Sequence, residues 1–185
     1  AFEALVQLLE TGDASVLQPA VNALKSLAHP ETVSRLHDLL IDADPQIRES
    51  AIRVAGYLGA KGSEDEIFAG CEDSNERVRQ AAIEQLPNIA DERAVPTLIR
   101  VSKQDSPRLR AKAVQALAQI KSYESITALR EALSDADAWV RYFAVRALGT
   151  LHDEESREML VEIAGKDVAE QVRVAAGEVL SGLEA

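Results

Sequence analysis

Apolar residues recur along this chain at intervals of three and four with polar residues between them, and the whole arrangement returns every 31 residues. Val16, Ile47, Val78, Leu109 and Val140 are each 31 apart, and Val172 follows after 32. Leu5, Leu36, Ile67, Leu98, Leu129 and Leu160 form a second column. Ala20, Ala51, Ala82, Ala113, Ala144 and Ala176 form a third, and Leu27, Leu58, Ile89, Ile120, Leu151 and Leu183 a fourth. The columns slip by one position after Leu160, which places a single inserted residue near Lys166–Asp167. Self-similarity at a fixed period of this size signals a repeat array.

Two helices are predicted in each unit. Counting from the Val16 column as position zero, apolar residues fall at positions 0, 4, 7 or 8, and 11, which is one stripe of a 3.6-residue period. This is helix B. Asp13, Asp44, Asn75, Ser106 and Asp137 stand where its N-cap belongs, and each has a side chain that can accept from the free N–H groups of a first turn. Pro45 and Pro107 follow directly, at a position where a missing N–H costs nothing. Helix A is shorter, as in Glu31–Leu40, Arg93–Val101, Ser125–Leu133 and Glu155–Ala164. Connections such as 59–62 and 90–92 are short, so consecutive helices run antiparallel. Six hairpins result, at about 1–28, 29–59, 60–90, 91–121, 122–152 and 153–185. No hairpin can bury its stripe alone, and stacking buries them all in one quasi-one-dimensional core. The expected fold is therefore all-α, a single α-solenoid over 1–185. Pro87 should kink helix B of the third unit, and Pro19 should bend or delay that of the first. The first unit carries Leu17 where the others have Arg, as suits a terminal capping repeat.

Charge narrows the functions. Lys and Arg number 20 against 31 Asp and Glu, for a net charge of −11. Nucleic-acid binders neutralise phosphates with cations, and anionic membranes attract basic segments, so this chain suits neither. A basic partner is compatible. The lone cysteine, Cys71, allows no internal disulfide; it takes the Leu place of helix A and reads as a small buried hydrophobe. No apolar run approaches the ~20 residues that span a bilayer. The chain opens at Ala1 in mid-pattern, without an initiator Met or a signal-peptide pattern, so an excerpt of a longer, cytoplasmic protein is expected.

The segments Asp42–Gly59 and Asp135–Gly149, with their Asp, Val/Ile-Arg, Ala and Gly signals in register, resemble HEAT repeats. The resemblance is strongest to the short type of phycobilisome-lyase-like bacterial proteins, and it extends over all six units. It implies an interaction scaffold, with a subunit of a bilin lyase, an enzyme that attaches a chromophore, as the alternative. Deoxyhypusine hydroxylase also resembles such an array, and its iron is held by His-Glu pairs directly after the Val-Arg of helix B. Here those places hold Glu49-Ser50, Gln80-Ala81, Ala111-Lys112, Tyr142-Phe143 and Val174-Ala175, so that activity is not carried over. His29, His37 and His152 have no zinc-type spacing. The segment 56–62 lacks the strand and the Lys-Ser/Thr of a phosphate loop. The expectation is a non-enzyme with no metal or cofactor.

Two sets of residues remain. Arg48, Arg79, Arg110, Arg141 and Arg173 each follow the Val column. They are expected to form a structural ladder by bonding the cap column, Asp44, Asn75, Ser106 and Asp137, between neighbouring repeats. Positions 2, 6 and 9 of helix B lie opposite its core stripe and form the predicted binding face, concave in stacked helical pairs. They include Glu49, Arg53, Gln80, Glu84 and Gln115, and the small residues at position 9 are expected to let a partner approach. In the fifth unit Trp139, Tyr142 and Phe143 fall within five residues, with Arg146 a turn beyond. These types are enriched in binding hot spots, so they are the candidate anchors for a protein or peptide, with Tyr142 exposed and Phe143 and Trp139 partly covering joints between units.

Overall fold

The computed structural model describes Pro19, Ala23 and residues 32–59 and 62–183. The first repeat's cap Asp13, its members of the four columns and His29 lie outside the described residues, as do the neighbours of Pro19. The chain divides into two compact units, 1–91 and 92–185, and the division falls beside the boundary expected between the third and fourth repeats.

In the first unit, α1 (Thr32–Leu40), α2 (Pro45–Leu58), α3 (Glu64–Gly70) and α4 (Glu76–Gln85) are followed by a 3-10 turn, Leu86–Asn88. The second unit holds α5 (Ala94–Gln104), α6 (Pro107–Ile120), α7 (Tyr123–Ala132), α8 (Ala138–Thr150), α9 (Arg157–Lys166) and α10 (Glu170–Leu183), with a 3-10 turn at Glu154–Ser156. No strand occurs among the described residues. Helices A and B alternate in an α-solenoid. Within the first unit B helix α2 packs on α4, and within the second α6 packs on α8 and α8 on α10.

The caps explain the starts. Asp44 accepts from the N–H of Gln46, Asn75 from Arg77, Ser106 from Leu109, and Asp137 from Trp139 and Val140. Pro45 and Pro107 occupy the first helical positions. At the other end Gly59, Lys121 and His152 share one repeat position and all adopt left-handed backbone, with φ of 57°, 56° and 52°. That conformation ends a helix, and it is strained for Lys and His. Pro87 terminates helix B instead of kinking it: α4 stops at Gln85, and the chain continues as the 3-10 turn that contains the proline.

The columns make the core. Ala82, Ala113, Ala144 and Ala176 are fully buried, as are Leu86, Leu117 and Leu148 beside them. Cys71 is buried.

Candidate functional site

Arg48, Arg110 and Arg141 of the ladder are held, but not by the caps. Arg48 donates Nε and Nη2 to Asp73 at 2.7 and 2.9 Å, Arg110 to Asp135 at 2.9 and 2.7 Å, and Arg141 to Asp167 at 2.7 and 2.8 Å. Each partner belongs to the next repeat and stands two residues before the cap position. Its Oδ1 also accepts from the backbone N–H at that position, Asn75, Asp137 or Ala169. Asn75 and Asp137 spend their side-chain acceptors on their own helices, which is why they do not take Arg48 and Arg110. The third guanidinium nitrogen of each Arg turns back to the carbonyls before its own helix. Arg48 reaches Asp42 and Ala43, and Arg141 reaches Asp135 and Ala136. Arg79 and Arg173 make the same return bond, to the carbonyls of Asp73 and Asp167. From α7, Arg130 holds Asp153 and, at 2.7 Å, Glu155.

These pairs are largely covered, and their titration follows. Hydrogen bonds from the arginines hold Asp73, Asp153 and Asp167 below the usual carboxylate range against the opposing pull of burial. At Asp135 burial is the largest influence and pushes upward, but Arg110 and the Asp137 N–H together outweigh it and the net direction is down. A row of fork-and-carboxylate pairs between repeats fixes their register; it does not present free cations to a ligand.

The B face differs between the two units. In the first, the expected binding residues are tied to one another. Arg53 bridges α2 to α4 by donating to Glu84 at 2.9 Å, and it also reaches Glu49 at 3.4 Å. Gln80 donates to the other oxygen of Glu84 at 2.8 Å, and Arg77 pairs with Glu49 at 3.0 Å. In the second unit the same positions hold Tyr142, Arg146, Val174 and Glu178. Arg146 again bridges to the next B helix, donating to Glu178 at 2.9 Å. Tyr142 replaces the carboxylate of Glu49, and Val174 replaces the amide of Gln80, so the bridge lacks both flanking partners. Gln115 is half-buried.

Two of the small residues at position 9, Gly56 and Gly149, lie close against the following helix. A Cβ on Gly56 would lie 2.0 Å from Gln85 Oε1, and one on Gly149 would lie 2.5 Å from Val179. Gln85 and Val179 share position 7 of the following B helix. The glycines admit that neighbour, which takes the place a Cβ would occupy.

The aromatic residues of α8 form a cluster. Tyr142 packs edge-on against Trp139 and Phe143, with ring centroids 5.5 and 5.4 Å away. Trp139 is 55% exposed. Tyr142, expected to be exposed, is half-buried like Phe143, because its ring packs against both neighbours. A groove of about 420 Å³ between α8 and α10 is lined by Tyr142, Glu170, Gln171, Val174, Ala175 and Glu178. A smaller hollow of about 210 Å³ lies beyond the Arg146–Glu178 bridge, against Gly149, Thr150, His152, Val179 and Gly182. Of the groove's lining, the α10 residues Glu170, Gln171, Val174 and Glu178 were not singled out as anchors from the sequence. The exchange of Gln80 for Val174 at position 2 was the available signal.

Among the described residues no group of three or more His, Cys, Asp or Glu could hold a metal ion. His37 pairs instead with Glu66 at 3.0 Å. Among those residues, too, no helix is long and apolar enough to cross a membrane.

The family model for HEAT repeats matches residues 34–108 and 100–181. The chain belongs to the HEAT-repeat family. Solved structures with the same fold include an engineered protein, 20% identical with a TM-score of 0.63 over 99% of this chain and 96% of the other. A designed armadillo repeat protein in complex with the peptide (KR)4 is 21% identical, with a TM-score of 0.63 over 97% and 98% of the two chains. The complex of CpcE and CpcF of phycocyanin lyase from Nostoc sp. PCC7120 gives 24% identity and a TM-score of 0.60, over 95% of this chain and 74% of that one. At these identities the likeness concerns the fold alone. No curated protein matches the chain.

Proposed function

We propose that this HEAT-repeat protein is a non-catalytic scaffold that binds a protein or peptide on its helix-B face, with the groove between α8 and α10 as the anchor. One observation carries the reading: Tyr142 and Val174 line an open groove, with the exposed Trp139 packed against Tyr142, at the positions where the first unit's B face is closed by its own ion pairs. An exposed Trp beside a rigid Tyr gives contact area at low entropic cost. A net charge of −11 favours a basic partner through steering and complementarity, and the designed repeat protein of the same fold carries a basic peptide. A cytoplasmic setting suits the lone reduced cysteine. Selection of peptides from a random library on the full chain tests this. Selected peptides should lose about ten-fold or more in affinity for Trp139→Ala and Tyr142→Ala, and unchanged affinity for both variants would refute the assignment of the groove.

The fold shared with the phycocyanin lyase chains supports a second reading, a subunit of a chromophore-attaching lyase. Bilin transfer to a phycobiliprotein in the presence of this chain would establish it in place of the first.

A further inference from the structure

The bridge Arg53–Glu84 in the first unit and the bridge Arg146–Glu178 in the second occupy the same repeat positions, and only one of them is complete. Glu84 has both oxygens engaged, one by Arg53 and one by Gln80. Glu178 accepts from Arg146 through Oε2. Among the described residues its other oxygen takes no donor, because the residue one turn before it in α10 is Val174. Glu178 lines the groove together with Tyr142, Glu170 and Val174. The Tyr142 hydroxyl also has no hydrogen-bond partner among the described residues, and Glu170 adds a second carboxylate at the exposed start of α10.

We infer that this groove is a socket for a Lys or Arg side chain of the partner. The inference rests on the partner-binding reading above and adds the chemistry of the residue recognised. The aliphatic stem of such a side chain lies along Tyr142 and Val174, and its charged head supplies the donor that Gln80 supplies in the first unit. The head pairs with Glu178 beside the Tyr142 ring, which adds the attraction of a cation for a π face, and Glu170, about two turns away in the same helix, adds a second negative charge to the groove. Arg146 shows that a guanidinium fits Glu178 from one side, and the incoming cation takes the free side. Stem burial and charge pairing together favour long cations over short ones.

Trp139 is the chain's single tryptophan and stacks edge-on with Tyr142, so its fluorescence reports on the groove. Peptides of equal length with alternating Ser-Arg, Ser-norleucine and Ser-Glu sequence are titrated against the full chain. Norleucine keeps the stem and removes the charge. The Ser-Arg peptide should give a saturable change and bind at least about ten-fold more tightly than the Ser-norleucine peptide. The preference should shrink as salt rises. Glu170→Gln should weaken Ser-Arg binding several-fold and leave Ser-norleucine binding unchanged, with helicity as the check on folding. Equal affinity for the Arg and norleucine peptides, no response to Ser-Arg, or indifference to Glu170→Gln overturns the inference. Library peptides that are neutral and still need Tyr142 would leave the partner-binding reading standing while removing the cation socket.

Discussion

Gly149 and Gly177 offer a paired test of how the B helices of the last two repeats interlock. Both glycines are helical, in α8 and α10. Replacing a helical Gly by Ala removes an entropic penalty of about 0.8–1.0 kcal/mol. Around Gly177 nothing lies within 4 Å of the new Cβ, so Gly177→Ala should raise stability by most of that amount. At Gly149 the new Cβ would meet Val179 Cγ2 at 2.5 Å, Cγ1 at 2.8 Å and Cβ at 3.2 Å. Val179 is β-branched with one favoured rotamer in a helix, and its Cβ is fixed to the backbone, so the clash cannot be relieved by rotating a flexible end. Overpacking of this kind costs about 1–3 kcal/mol. The net effect of Gly149→Ala should lie between neutral and about 2 kcal/mol destabilising, leaving the two variants about 1–3 kcal/mol apart. Urea denaturation followed by circular dichroism measures this as a shift in midpoint at constant slope. The double change Gly149→Ala, Val179→Ala should recover much of the loss, because it removes the atoms that collide. If Gly149→Ala stabilises as much as Gly177→Ala, α8 and α10 do not mesh at this position.

The carboxylates of Asp73, Asp135, Asp153 and Asp167 are held below their unfolded values of about 3.9. They therefore stabilise the fold fully above that pH, and the contribution is lost as pH falls through the lower folded values. The melting temperature should stay level from pH 7 to about 5 and drop below about pH 4; a flat profile down to pH 2.5 would contradict the ladder. Asp135→Asn should cost about 1.5–3 kcal/mol by thermal denaturation, since it removes the charge accepting from Arg110, whereas Asp137→Asn should change little because Asn caps a helix as well as Asp. Lys121→Gly and His152→Gly should each stabilise by up to about 1 kcal/mol, as their left-handed φ values suit Gly; a loss of stability would show that the side chains make compensating contacts.

The parts of this fold that are encoded locally could be read from one repeat at a time. Caps are bonds between residues two or three apart, so Asp44, Asn75, Ser106 and Asp137 announced the helix starts by themselves. The stripe of each B helix did the same for its core face. The stacking itself was legible from the repeated stripe, but the particular partner that the adjacent repeat supplies was not. Asp135 and Asp137 are chemically alike and two residues apart, and which one takes Arg110 is decided by Asp137 being committed to the N–H groups of Trp139 and Val140. Gly149 looked like an opening because position 9 of a lone helix faces away from its own stripe. The next helix, through Val179, enters that space. The binding face shows the same division. Read along α2 or α8, Arg53 and Arg146 look like equal, free cations. Read across the columns, Arg53 stands among Glu49, Glu84 and Gln80, while Arg146 stands among Tyr142, Glu178 and Val174. Replacing two polar partners by an aromatic and an aliphatic residue removes the groups that would saturate the bridge and leaves a carboxylate oxygen beside an apolar wall. A self-contained surface network thereby becomes an open groove, and it is this exchange between columns on which the proposed binding site in the last two repeats rests.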